Sequence, residues 1–115
     1  MRKFILGFKY AFNGIKYAVL TQLNFKFHMI AALLIVGAGI YYNLKATEWL
    51  WISVAIALVM AAELFNTALE VLVDLVSPNV HPKAGIVKDL ASGAVLLIAI
   101  LAAIIGVSIF LPYIL

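Results

Sequence analysis

WLWISVAIALVMAAELFNTALEVLVDLV, residues Trp49 to Val76, is two kinds of helix in one mainly apolar block. From Leu50 to Ala62 only Trp51 and Ser53 carry polar side-chain atoms. From Glu63 onward the block is punctuated by Glu63, Asn66, Thr67, Glu70 and Asp74. At the helical repeat these five fall within one arc of about 100°, and Glu63 lies about 10 Å deeper along the axis than Glu70. Ionisable groups in a membrane span are costly and face a bundle interior or a wet cavity. A polar stripe can also serve simply to glue helices together. Helix packing alone, however, does not require three carboxylates on one line.

The flanking sequence has the same character. A second apolar block runs from about Phe27 to Leu44, and a third from Leu90 to the C-terminus, with Ser92 near its start and Pro112 near its end. Each approaches the roughly 20 residues that cross about 30 Å of hydrocarbon as a helix. The alternating segments of a β-barrel are absent. Residues 1–22 differ. Phe4, Phe8, Ala11, Phe12, Ile15 and Val19 share one helical face, opposite Arg2, Lys9, Asn13 and Lys16, the pattern of a helix lying in the membrane surface. Basic residues recur through this segment and no small-residue cleavage site closes it, which argues against a signal peptide. The fold expected is all-α integral membrane: one surface helix (1–22) and three spans (27–44, 49–76, 90–111), forming one domain over residues 1–115. A segment so thin favours an oligomer, and a cyclic trimer would supply equivalent interfaces.

Composition agrees. Of 115 residues 67% are hydrophobic and 11% charged, against about half and a quarter in soluble domains, so neither a water-soluble globule nor a disordered chain fits. The net charge of +3 forms no basic stripe for nucleic acid. There is no cysteine, hence no disulfide or thiolate metal site. Arg2, Lys3, Lys9, Lys16 and Lys26 precede the first span and Lys83 and Lys88 follow the second, whereas Lys45 alone occupies the other loop. The positive-inside rule then places the N-terminus in the cytoplasm and the C-terminus outside. The Ser77–Pro78–Asn79 and His81–Pro82 segment reads as a helix-breaking cytoplasmic loop. Beyond it Lys88 and Asp89 come level with Glu70 and Asp74. Carboxylates this close need basic neighbours or a cation, and hard oxygen donors suit Mg²⁺.

The run Ala62–Glu63–Leu64–Phe65–Asn66–Thr67–Ala68–Leu69–Glu70–Val71–Leu72–Val73–Asp74, with His81 and Lys88–Asp89–Leu90–Ala91–Ser92–Gly93–Ala94 after it, resembles the two motif blocks of the prokaryotic diacylglycerol kinase and undecaprenol kinase family. The likeness covers essentially the whole chain. It implies a homotrimeric, ATP- and Mg²⁺-dependent kinase of a membrane lipid alcohol, in the bacterial cytoplasmic membrane. By position it makes Glu63 the general base and Glu70 a metal ligand. It makes Asn66 and Ser92 substrate-side residues. Lys3, Tyr10, Asn79, His81, Lys88 and Asp89 become nucleotide contacts. Tyr10 also fits an interfacial anchor, His81 an ordinary loop histidine, and Lys3 a contact to anionic lipid.

One departure stands out: Gln22 occupies the place of a metal-binding glutamate in the family. On a continuous surface helix Gln22 would share the angle of Phe4. A glutamine offers a carbonyl oxygen but no charge, so weaker Mg²⁺ binding is expected. Asn79 likewise stands where some relatives carry an acid. The segments Asn24–Phe25–Lys26–Phe27–His28 and Ser77–Pro78 are closer to the undecaprenol kinase branch, with diacylglycerol as the other acceptor. No Gly-rich phosphate loop is present, and Gly37–Ala38–Gly39 is better read as a packing element. Two other functions remain open on the sequence: a proton or cation transport subunit, and a non-catalytic remnant that binds nucleotide or lipid. A conduction path, though, would need polar atoms to continue outward from Glu63, and they stop there.

Overall fold

The computed structural model describes residues 1–115 as four helices, with no strand: α1 (Arg2–Thr21), α2 (Leu23–Tyr42), α3 (Ala46–Val76) and α4 (Pro82–Ile114). The last three are long and apolar enough to cross a membrane, so the all-α membrane architecture holds. The molecule measures 51 × 41 × 20 Å. A 33-residue helix is about 50 Å long, so α4 sets the long dimension. α3 is the hub, packing chiefly on α4 and also on α2 and α1.

The stripe that α3 buries explains why. Ile52, Ala55, Val59, Glu63, Asn66 and Thr67 are its buried residues, a spacing of three and four that keeps one face inward over most of its length. The same face is therefore apolar over one half and polar over the other. Elsewhere the chain turns its apolar side chains out. Leu33, Leu34, Ile40, Leu96, Leu97 and Ile104 are all more than half exposed. In water such a surface would aggregate, whereas in a bilayer it faces lipid. The apolar face of α1 is exposed too, with Phe4, Phe8 and Phe12 outward, while Ala18 is its buried contact.

The helix boundaries refine the sequence reading. α1 stops at Thr21, and Gln22 is extended (φ −106°, ψ 113°) before α2 begins at Leu23. The expectation of a surface helix continuous through Gln22 is thus corrected: Gln22 sits at the corner, and a helical angle does not apply to it. α4 starts eight residues before Leu90. Pro82 takes its first turn, where no N–H is needed, and Nδ1 of His81 accepts from the Lys83 N–H at 3.1 Å. His81 is thereby a helix N-cap rather than a featureless loop residue. Pro112 lies inside α4, which runs on to Ile114; so near the end, a missing donor interrupts little.

The end of the bundle remote from Glu63 is closed by side chains. Asn43 ends α2 in the left-handed region (φ 53°), which asparagine tolerates. Leu44 N–H then bonds Gly39 O at 3.1 Å and Asn43 N–H bonds Ile40 O at 3.3 Å, a paired helix stop. Leu44, Ile52 and Phe110 form the small core there. Glu48 Oε1 accepts from the Lys45 N–H at 2.9 Å and from the Tyr113 hydroxyl, so the fifth acid of the chain ties the start of α3 to the end of α4.

Gly39 has a packing role at this end. A Cβ there would lie 2.6 Å from Cη2 and 2.9 Å from Cζ2 of Trp49. The rigid indole must move as a whole to make room. Gly39→Ala is expected to lower stability by about 1–3 kcal/mol, the usual cost of overpacking, read as an earlier thermal transition in detergent. An unchanged transition would show that Trp49 is not held against α2.

Candidate active site

The polar half of the α3 stripe forms a graded site. Glu63 is 3% exposed, and Asn66 and Thr67 are buried beside it. One turn further Glu70 is half-buried, and Asp74 is exposed. The five polar residues thus share a line, as their spacing requires, and the line runs from interior to surface. Nε2 of His28, on α2, lies 3.2 Å from Oε1 of Glu63. A buried acid is therefore met by a basic group across the helix interface, the arrangement that makes burial tolerable.

The next turn is built differently. Nδ2 of Asn66 donates to Oε1 of Glu70 at 3.3 Å, while Oδ1 of Asn66 is buried without a partner. Buried acceptors are almost always satisfied, so this oxygen calls for a partner that the isolated chain does not supply. The half-buried Glu70 carboxylate offers hard oxygen of the kind Mg²⁺ takes. Gln22 turns its amide Nε2 to Oγ1 of Thr21 at 3.2 Å. It adds no charge to this site.

At the surface, Nζ of Lys88 pairs with Oδ1 of Asp74 at 2.9 Å. These two share a cleft of about 230 Å³ with Ser77, Asn79 and His81, between the end of α3 and the start of α4. Four residues singled out from the sequence, Asp74, Asn79, His81 and Lys88, are therefore brought together. Tyr10 reaches the site by another route: it lines a groove between α1 and α3 with Gly14 and Thr67. Lys3, Asp89 and Ser92 are exposed and have no polar partner within the chain. The sequence reading missed His28 as a site residue. The signal was there, since a histidine inside an apolar block is itself an intramembrane ionisable group.

Fold and stripe together define the class: an all-helical membrane protein with a carboxylate site set partway into its bundle. The chain belongs to the prokaryotic diacylglycerol kinase family, which matches residues 9–110, and it is by that membership a lipid kinase. Three relatives are informative. An undecaprenol kinase of Bacillus subtilis is 39% identical over 112 residues, covering 97% of this chain and 91% of its own length. A diacylglycerol kinase of Synechocystis is 42% identical over 109 residues, 94% of this chain but 62% of that longer protein. The diacylglycerol kinase of Escherichia coli K12 is 32% identical over 96 residues, 84% of this chain and 78% of that one.

Proposed function

We propose that this chain transfers the γ-phosphoryl group of ATP to the terminal hydroxyl of undecaprenol, in preference to diacylglycerol, at the cytoplasmic face of the bacterial membrane. The observation that carries the reading is the position of Glu63: buried at the inner end of a carboxylate stripe that opens to the surface at Asp74. A lipid alcohol approaches such a site from within the bilayer and a nucleotide from the water. The relatives named as undecaprenol and diacylglycerol kinases support the lipid-alcohol class, and the Asn24–His28 and Ser77–Pro78 segments favour the first acceptor.

Glu63 takes the hydroxyl proton as the lipid oxygen forms its bond to the γ-phosphorus. The bond from that phosphorus to the bridging oxygen breaks, ADP departs with the electron pair, and Glu63 later returns its proton to water. Phosphoryl transfer is mainly positioning and charge neutralisation. Lys88 and the cleft it shares with Asn79 and His81 fit the nucleotide phosphates, with Lys3, Tyr10 and Asp89 completing that side. Asn66 and Ser92 are assigned to the lipid substrate. Glu70 would hold Mg²⁺, with Gln22 as a neutral outlying donor. Bound there, the ion would offset the negative charge of the phosphates. Lys3, Asp89 and Ser92 have no partner within one chain, which agrees with sites completed between the subunits of a homotrimer.

The test is phosphate transfer from γ-labelled ATP to each alcohol by purified protein in lipid vesicles. Undecaprenol should be labelled faster than diacylglycerol, and the reverse order would overturn the assignment of acceptor. The missing charge at the α1–α2 corner gives a second expectation. Gln22→Glu should lower the Mg²⁺ concentration for half-maximal rate about tenfold, equivalent to about 1.4 kcal/mol of added binding. An unchanged Mg²⁺ dependence would remove position 22 from the metal site.

A further inference from the structure

Glu63 is assigned above as a base, yet a carboxylate has two equivalent oxygens and turns freely about its last bond. Something must decide which oxygen meets the substrate. His28 is the group placed to do so. Its Nε2 lies 3.2 Å from Oε1 of Glu63, and its side chain is mostly buried. No other titratable group is paired with either residue. Below and beside the imidazole the space is apolar: a cavity of about 120 Å³ is lined by Ala31 and Ile35 of α2, Val59 and Met60 of α3, and Ala102 of α4 along with His28. The histidine is the single polar side chain facing that cavity, and its Nε2 lies within ion-pair distance of Glu63.

The geometry points to His28 as the positioning residue of the base: its Nε2 stands 3.2 Å from Oε1 of Glu63, and in the reacting complex its N–H turns onto that oxygen, holds the carboxylate, and leaves Oε2 to take the proton of the lipid hydroxyl. This rests on the reading of Glu63 as the base and adds to it the group that aims it. His28 does not touch the reacting atoms in this scheme, and its contribution is to turnover rather than to binding. α2 thereby joins the reaction through a contact between two residues 35 apart in sequence. A correctly placed positioning group affects rate steeply, because a small misplacement of reacting atoms is costly.

The experiment compares wild type, His28→Leu, His28→Gln and Glu63→Gln in undecaprenol-containing vesicles, with melting curves for each. His28→Leu keeps bulk but donates nothing; it is expected to lower kcat about 10- to 100-fold with KM for ATP and for lipid within about twofold. His28→Gln restores an N–H donor near the same place and should recover most of the rate. Full activity in His28→Leu would overturn the proposal, as would a rate loss in both variants that follows their loss of thermal stability. If His28→Leu fails to fold, His28→Gln decides alone: near-wild-type kcat supports the donor role, and a folded but inactive protein contradicts it. Glu63→Gln separates the two ideas, since activity in that variant refutes the base itself, whereas its inactivity beside a fully active His28→Leu refutes only the aiming role.

Discussion

Glu63→Gln should reduce the turnover of lipid phosphorylation by about 10²- to 10⁴-fold, the span for loss of a positioned general base. The substitution changes charge and basicity but hardly changes volume. Its carbonyl oxygen can still accept from Nε2 of His28, 3.2 Å from the present carboxylate, so the α2–α3 contact persists. The residues proposed for the nucleotide phosphates, Lys88, Asn79 and His81, line a cleft at the other end of the stripe, so KM for ATP should move little. The expected pattern is a fallen kcat with an unaltered melting curve and nucleotide affinity. A variant that retains more than about a tenth of the wild-type rate would mean that another group takes the proton.

Glu70→Gln carries the second large effect, and it should look different. Glu70 is the one carboxylate in the candidate metal set, because the corner residue is Gln22. Removing it leaves amide oxygen only, a poor set for a hard divalent cation. Turnover at fixed Mg²⁺ is expected to fall about 10²- to 10³-fold, comparable with loss of one strong electrostatic stabiliser, and to recover in part as Mg²⁺ is raised. Rate measured against Mg²⁺ concentration therefore distinguishes Glu70 from Glu63, whose loss no amount of metal should repair. If both variants respond identically to Mg²⁺, the division between base and ligand is wrong.

How much of this was readable in advance follows from the range of the interactions. The stripe from Glu63 to Asp74 was legible because the periodicity of a helix is local, and its burial gradient follows once one end is known to be deep. The three spans were legible because bilayer thickness fixes helix length. Contacts between helices were not. His28 and Glu63 are 35 residues apart, and no spacing rule joins them. Glu48 and Tyr113 are likewise joined only once α4 folds back along α3. The corner at Gln22 was hidden for another reason: neither glycine nor proline marks it, and α1 and α2 are each good helices up to the break. His81–Pro82 signalled a boundary, but as a helix start rather than only an interruption.

The central claim is that a buried carboxylate on α3 serves phosphoryl transfer to a lipid alcohol. The most direct measurement is label transfer from γ-labelled ATP by the purified wild-type protein in vesicles, with Mg²⁺ and with undecaprenol or diacylglycerol as acceptor. Label is expected to appear in the lipid fraction in a Mg²⁺-dependent way, faster with undecaprenol and not at all with Glu63→Gln. Absence of label from both alcohols in protein that is folded and membrane-inserted would contradict the claim.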